Sequence, residues 1–145
     1  MPLIRRFKKG DLEKVQNIAD ISLEEKYNRE LFITIKELWN DGFLVHEISG
    51  EVTGFICGVI LDSENVRVLM LAVHPLYRNR GIGSKLLQRF IEVSSSVGAN
   101  KIVLEVRVGS RRTIEFYQKR GFQFMERLKN FYTDGENGYQ MVRYL

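Results

Sequence analysis

Apolar positions along the chain switch between two periods, and the switches mark the elements. Leu3 and Ile4 read as a short strand entry, and Gly10-Asp11 then caps a stripe of Leu12, Val15 and Ile18 at helical spacing. A polar break from Ser22 to Asn28 precedes a second stripe, Leu31, Phe32, Ile35, Leu38 and Trp39. That helix is expected to stop at Asn40-Asp41-Gly42, with the glycine in a left-handed C-cap. The period then shortens. Phe43 to Ile48, the turn Ser49-Gly50-Glu51 and Val52 to Leu61 predict an antiparallel hairpin, followed after the polar turn Asp62 to Asn65 by a third strand, Val66 to Val73.

His74-Pro75 ends that strand, because proline cannot donate to a ladder and drives its predecessor into extended geometry. After the loop Leu76 to Ile82, the residues Leu86, Leu87, Phe90 and Ile91 share one face of a helix from Gly83 to about Ser96, closed by Gly98. Lys101 to Arg107 predicts another strand and Arg111 to Arg120 a short helix ended by Gly121. Phe122 to Met125 and Tyr139 to Leu145 supply the last strands. Three strands in a row favour a mixed sheet over a repeating βαβ fold. The expected architecture is therefore one α/β (α+β) domain over residues 1–145, a twisted mixed sheet of about seven strands flanked by about four helices.

Composition narrows the function. With 145 residues and 44% hydrophobic content the chain can bury one sizeable core but not two. Cys57 has no partner for a disulfide and, with only two histidines, His46 and His74, no metal site is expected. The longest apolar stretch, Val68 to Val73, is far below the roughly 20 residues a bilayer requires. Arg5, Arg6, Lys8 and Lys9 are followed by no apolar h-region, so no signal peptide is read. A cytoplasmic protein without a membrane partner is the expectation. The formal net charge of +4 hides an asymmetry: Arg67 to Lys129 holds 13 basic against 4 acidic residues. That excess suits an anionic ligand, and equally a solvated basic face.

The strongest local signal is Arg78-Asn79-Arg80-Gly81-Ile82-Gly83-Ser84-Lys85, a loop joining a strand to a helix. Its glycines let backbone N–H groups converge on one anion, and the helix N-terminus adds about half a positive charge. A dinucleotide fingerprint would need glycine where Leu86 stands, and a Walker A loop would need Gly-Lys-Ser/Thr where the order is Gly83-Ser84-Lys85. The pattern it does satisfy is R/Q-x-x-G-x-G/A, with Arg78, Gly81 and Gly83, after a strand ending Leu71-Ala72-Val73. This resembles the coenzyme A loop of the GNAT acetyltransferase superfamily, and the order of elements resembles a GNAT domain over nearly the whole chain.

The resemblance implies acetyl-CoA as co-substrate. Its pyrophosphate would lie on the backbone of Arg78, Asn79, Arg80, Gly81, Ile82, Gly83 and Ser84, and its pantetheine arm along Leu71, Ala72 and Val73. The Val73 N–H would polarise the thioester carbonyl. Leu104-Glu105-Val106-Arg107, Tyr117 and Gly121-Phe122 are similar to bacterial ribosomal-protein N-acetyltransferases. Phe131-Tyr132-Thr133-Asp134-Gly135-Glu136-Asn137-Gly138-Tyr139-Gln140-Met141 and Leu23-Glu24-Glu25-Lys26-Tyr27 are similar to NatA-type catalytic subunits. Both groups acetylate protein N-termini. Three departures stand out: Gly109-Ser110 replaces Ser-Asn near the cofactor, where Ser110 takes the contact position, Asn137-Gly138 replaces an acidic-Ala pair, and Phe131 replaces a tyrosine.

An α-amino group with a pKa of about 8 is mostly protonated at neutral pH, so acylation needs a base. Alternation on the strand sends Glu105 away from Ile102, Leu104 and Val106. The resemblance makes it the base, directly or through water, and a surface carboxylate near Arg107 is the plain reading. Glu25 is the second candidate base, otherwise an exposed loop charge. Tyr117 matches the tyrosine acid that protonates the leaving thiolate, and a half-buried core tyrosine is its alternative. Tyr27, Phe131, Tyr132 and Tyr139 resemble the aromatic walls that hold a substrate peptide, although strand aromatics often only pack. Cys57 and His74 read as structural.

The implied partner is a protein or peptide N-terminus, with an auxiliary subunit or the ribosome as further partner. A lysine side chain or a small-molecule amine is the alternative acceptor. An idle GNAT domain that senses the cofactor and a basic nucleic-acid-binding module are the competing classes, and the latter leaves the Gly81/Gly83 loop unexplained; no specific nucleic acid is expected.

Overall fold

The computed structural model describes residues 1–145. The chain runs β1 (Pro2–Arg6), α1 (Leu12–Ser22), α2 (Arg29–Leu38), β2 (Leu44–Ile48), β3 (Glu51–Ile60), β4 (Asn65–Val73), α3 (Ile82–Ser96), β5 (Lys101–Arg107), α4 (Arg111–Lys119), β6 (Gln123–Leu128) and β7 (Gly138–Tyr144), with three single 3-10 turns between them. The seven strands form one sheet in the order β1-β2-β3-β4-β5-β7-β6. The mixed sheet with four helices matches the expected architecture.

Burial on both faces explains the sequence pattern. Val15, Ile18 and Ala19 of α1 and Phe32 and Ile35 of α2 pack with Phe43 and Phe55 on one face. On the other, Leu86, Leu87, Phe90 and Ile91 of α3 and Tyr117 of α4 cover Val66, Val68, Ile102 and Leu104. Central strands covered on both faces lose strict alternation, and β3 accordingly buries Val52 through Val59 almost without a break.

Two boundaries away from the anion loop depart from the sequence reading. Gly42 is not a left-handed cap, since it has no positive φ. Helix α2 ends at Leu38, and a 3-10 turn over Asn40–Gly42 follows. The Trp39 ring occupies the place where a Gly42 Cβ would sit, 2.2 Å from its Cε3, so the glycine serves close packing. Strand β6 extends to Leu128 rather than Met125, because a bulge between Phe124 and Glu126 lets pairing with β7 continue.

All strand pairs are antiparallel except β4–β5. That parallel pairing covers only Asn65, Val66 and Arg67 against Lys101, Ile102 and Val103. Beyond Arg67 the two strands diverge, so the edge of β4 from Val68 to Val73 has no strand neighbour there. A cleft opens between them.

Candidate active site

The divergence of β4 from β5 creates two connected clefts. One, of about 590 Å³, is walled by Leu71, Ala72 and Val73 of β4, by Arg78, Asn79, Gly81, Ile82, Gly83 and Ser84, and by Arg112, Thr113, Phe116 and Tyr117 of α4 with Arg120 at its C-cap. The other, of about 470 Å³, holds Glu25, Tyr27, Arg67, Glu105, Arg107, Ser110, Phe131 and Tyr132. Ser22, Leu71, Thr113 and Tyr117 line both. The clefts therefore meet at Tyr117.

The first cleft is built to hold an anion. Gly81 takes φ +78° at the N-cap of α3 and Asn79 φ +63°, so the loop curls back on itself. This left-handed cap also starts the helix at Ile82, one residue before the position expected. No carbonyl in the chain accepts from the backbone N–H groups of Asn79, Arg80, Gly81, Ile82, Gly83 or Ser84, and the first helical bond runs from Lys85 N–H to Gly81 O at 3.1 Å. A row of free donors at the N-terminus of a 15-residue helix attracts a phosphate. Gly83 faces Phe116, which a Cβ would approach at 3.6 Å. Pyrophosphate on the loop and an extended arm along the bare edge of β4 fit these residues. Arg78 turns inward, its Nε–H donating to the Val73 carbonyl at 3.1 Å. Arg80 instead lies over the Tyr77 ring at 5.3 Å, outside the cleft wall.

In the second cleft Glu105 is 9% exposed and anchored on both sides. Arg67 Nε–H donates to its Oε1 at 2.7 Å, and Nη2 of the same guanidinium forms an ion-pair contact with that oxygen at 2.6 Å. Gln140, its cross-strand neighbour on β7, donates from Nε2 to Oε2 at 3.2 Å. The carboxylate thus pairs with Arg67 and is largely buried, rather than lying at the surface near Arg107. Arg67 escaped the sequence reading because its partner lies 38 residues away across the parallel junction; the only local signal was a charged residue opening an otherwise apolar strand.

Arg107 has a different task. It is 9% exposed and bound by four carboxylates, Glu24 and Glu25 from the α1–α2 loop and Asp134 and Glu136 from the β6–β7 loop. Its guanidinium also lies 4.1 Å from the Tyr132 ring centre. These partners hold its proton more tightly than usual, the Glu136 hydrogen bond foremost. One buried cation thereby straps together two loops that wall the cleft. Glu25 lines the cleft with its carboxylate engaged by Arg107. Gly109 allows Glu136 its approach: the Gly109 N–H donates to Glu136 Oε2 at 3.1 Å, and a Cβ would come within 2.9 Å of the same atom. At the other departure, Asn137 Oδ1 accepts from Asn130 N–H at 2.8 Å, and a Gly138 Cβ would crowd Tyr132 at 3.2 Å.

Burial raises the Tyr117 hydroxyl well above the ordinary tyrosine range, so it is protonated at neutral pH. Burial, with Glu25 nearby, pushes Tyr132 up to about 12 and raises Tyr27 as well. Tyr139 does not join Tyr27, Phe131 and Tyr132. It pairs with Val106, which puts it on the opposite face of the sheet from Gln140 and Glu105, and it packs edge-on against Phe124 at 4.9 Å. Ser110 falls in the second cleft rather than along the cofactor loop.

The comparisons agree with this geometry. An N-alpha-acetyltransferase of Sulfurisphaera tokodaii is 32% identical over 151 residues, covering 96% of this chain and 90% of the relative. The N-terminal acetyltransferase B complex catalytic subunit NAA20 of Arabidopsis thaliana is 29% identical over 150 residues, covering 100% and 86%. The crystal structure of Ard1 from Thermoplasma volcanium superposes with a TM-score of 0.97 at 35% identity, over 99% of this chain and 97% of that one. Residues 12–122, which span the sheet junction, the anion loop and all of both clefts but Phe131 and Tyr132, match the family described as Acetyltransferase (GNAT), and the chain belongs to that family.

Proposed function

We propose that the protein transfers the acetyl group of acetyl-CoA to the α-amino group of a protein or peptide. The observation that carries this reading is the meeting of two clefts at Tyr117, one with free N–H donors for a pyrophosphate and the other with an anchored carboxylate. The relatives named as N-alpha-acetyltransferases support the α-amino acceptor. The relative named as the catalytic subunit of a complex makes an auxiliary subunit the partner to test.

Acetyl-CoA supplies a thioester whose carbonyl carbon the neutral amine attacks, the C–N bond forming as the C–S bond breaks. Glu105 accepts the ammonium proton, directly or through one water. Arg67 holds Oε1 through its Nε–H bond and the Nη2 ion contact, while Oε2 receives only the longer bond from Gln140, so Oε2 is the less tightly held oxygen and the accepting atom. Glu25, spent on Arg107, serves the loop strap better than proton transfer. Tyr117, protonated and at the junction, gives its proton to the departing thiolate. The Val73 N–H, on the edge of β4 turned away from β3, polarises the carbonyl. Tyr27, Phe131 and Tyr132 wall the peptide side, and no covalent intermediate on the chain is needed.

The test incubates the protein with acetyl-CoA and peptides beginning Ser, Ala, Met-Leu or Met-Glu, beside a peptide with a blocked N-terminus and a free lysine. Mass spectrometry should find the acetyl group on free N-termini; modification of the blocked peptide alone would move the acceptor to lysine. Glu105→Gln and Tyr117→Phe should each lower kcat by about 10²–10⁴-fold, and unchanged turnover in both would sink the assigned roles.

A further inference from the structure

A third groove, of about 500 Å³, lies away from the catalytic junction, between α3, the end of α4 and β7. Its polar walls are Ser84 and Gln88 of α3, Lys119 and Arg120, Gln123, and Arg143 of β7, and no carboxylate lines it. The two guanidiniums are half-buried and fixed by neutral acceptors only. Arg120 donates from Nε to Ser84 Oγ at 3.1 Å and from Nη1 to the Phe116 carbonyl at 2.9 Å, with its plane 3.9 Å from the Phe116 ring centre. Arg143 donates from Nη1 to the Arg120 carbonyl at 2.6 Å. It lies against Gly121, where a Cβ would sit 3.5 Å from Nη1 on a backbone with φ +88°.

Of the thirteen arginines, Arg5, Arg6, Arg67, Arg89 and Arg107 each meet a carboxylate. Of the eight that meet none, only Arg120 and Arg143 are half-buried, the other six being exposed. Repulsion between two neighbouring cations disfavours this arrangement, and the anchors remove the side-chain freedom that would let them separate. Arg120 commits two N–H groups and Arg143 one, so most of the donors of both forks have no protein acceptor. Rigid, unneutralised forks of this kind suit a tetrahedral dianion, whose several oxygens accept from both at once.

We propose that this groove is a second anion site that takes a phosphate monoester, held by Arg120 and Arg143 with Lys119 at the rim. Ser84 and Arg120 also line the cofactor cleft, so the phosphate has two sources: the 3′-phosphate of coenzyme A itself, which rests on the acetyl-CoA reading above, or a separate phosphorylated ligand, which does not.

The experiment uses the whole protein saturated with dephospho-CoA, which fills the loop and leaves the groove free. Inorganic phosphate is titrated against chloride at constant ionic strength while Tm is read. A tenfold excess over Kd should raise Tm by about 3–6 °C in the wild type. The rise should be abolished in Arg143→Gln and reduced in Lys119→Gln, an exposed position that keeps the test open if the first variant folds poorly. Repeating the titration with coenzyme A separates the sources. Loss of the phosphate effect assigns the groove to the coenzyme's own 3′-phosphate, with Arg143→Gln then binding coenzyme A about tenfold more weakly and dephospho-CoA unchanged; persistence assigns it to a separate ligand. No phosphate-specific rise, or an equal rise in wild type and both variants, overturns the site. Calorimetry with dephospho-CoA comes first. If it does not bind, the coenzyme reading falls, and the groove is still scored with phosphate alone as the difference between wild type and Arg143→Gln.

Discussion

Removing Arg67 should reveal how firmly the fold holds Glu105. In Arg67→Met the carboxylate loses a charge-assisted hydrogen bond at 2.7 Å and a second guanidinium contact at 2.6 Å, and keeps only the 3.2 Å bond from Gln140. A hydrogen bond to a charged group contributes about 1.5–3 kcal/mol. Arg67 is itself 35% exposed, so water takes over much of what is lost and the low end applies to the pair as a whole. The expected loss is about 2 kcal/mol, or about 4–8 °C in Tm. Because the two side chains are in contact, a cycle of wild type, Arg67→Met, Glu105→Gln and the double variant should give an interaction energy of about 1–2 kcal/mol. Urea denaturation of the four proteins measures it, with equal m-values required. Additivity within about 0.3–0.5 kcal/mol would refute the reasoning, because the ion pair would then not hold the carboxylate. On the kinetic side, kcat should fall while the KM for acetyl-CoA stays put, since Arg67 does not line the cofactor cleft.

Two further outcomes follow from the loop and from one buried histidine. Gly81→Ala places a Cβ on a backbone at φ +78°, which costs about 1–2 kcal/mol; if the loop relaxes out of that conformation, calorimetry should find coenzyme A bound about 5–30-fold more weakly, and unchanged affinity would mean the curl is not needed. His46 is buried and hydrogen-bonded through Nδ1 to Thr53 Oγ1 at 2.7 Å, and burial lowers its pKa below the ordinary 6.5. The unfolded chain therefore binds the proton more readily, so this contribution to stability is complete above about pH 6.5 and shrinks as the pH falls towards the folded value, by at most about 1.4 kcal/mol per pH unit. Denaturation at pH 7.5 and 5.5 should show the decline, and His46→Gln should flatten it.

What the sequence conveyed and what it withheld divide along the range of the forces involved. Strand β5 follows the Gly98 stop, and the alternation of Ile102, Leu104 and Val106 against Val103, Glu105 and Arg107 is legible residue by residue. The anion loop was equally plain, because free N–H groups at a glycine-rich helix start are a local property. Arg67–Glu105 and the four-carboxylate strap on Arg107 were not legible, since each joins segments brought together only by sheet order and loop closure. Tyr139 shows the limit of motif matching: a one-residue alternation along β7 decides which face a side chain takes, and that register is set by pairing with β5. At Gly42 the turn was correctly placed but its reason was misassigned, because the deciding contact is the fold of the Trp39 ring back over the chain.

The short parallel junction between β4 and β5 has a mechanical meaning. Three residue pairs are all the strand pairing that joins the first four strands to the last three. The first block owns the whole anion loop, and the second owns Glu105, Arg107 and Tyr117. The proposed base and acid are thus carried on a different half from the anion loop, and their alignment depends on this seam, on the Arg67–Glu105 pair beside it and on the Arg107 strap across the cleft. Mutations that loosen this seam should leave the anion loop, which one half carries whole, intact while shifting the proposed base and acid against it, a failure visible in turnover before it is visible in coenzyme binding.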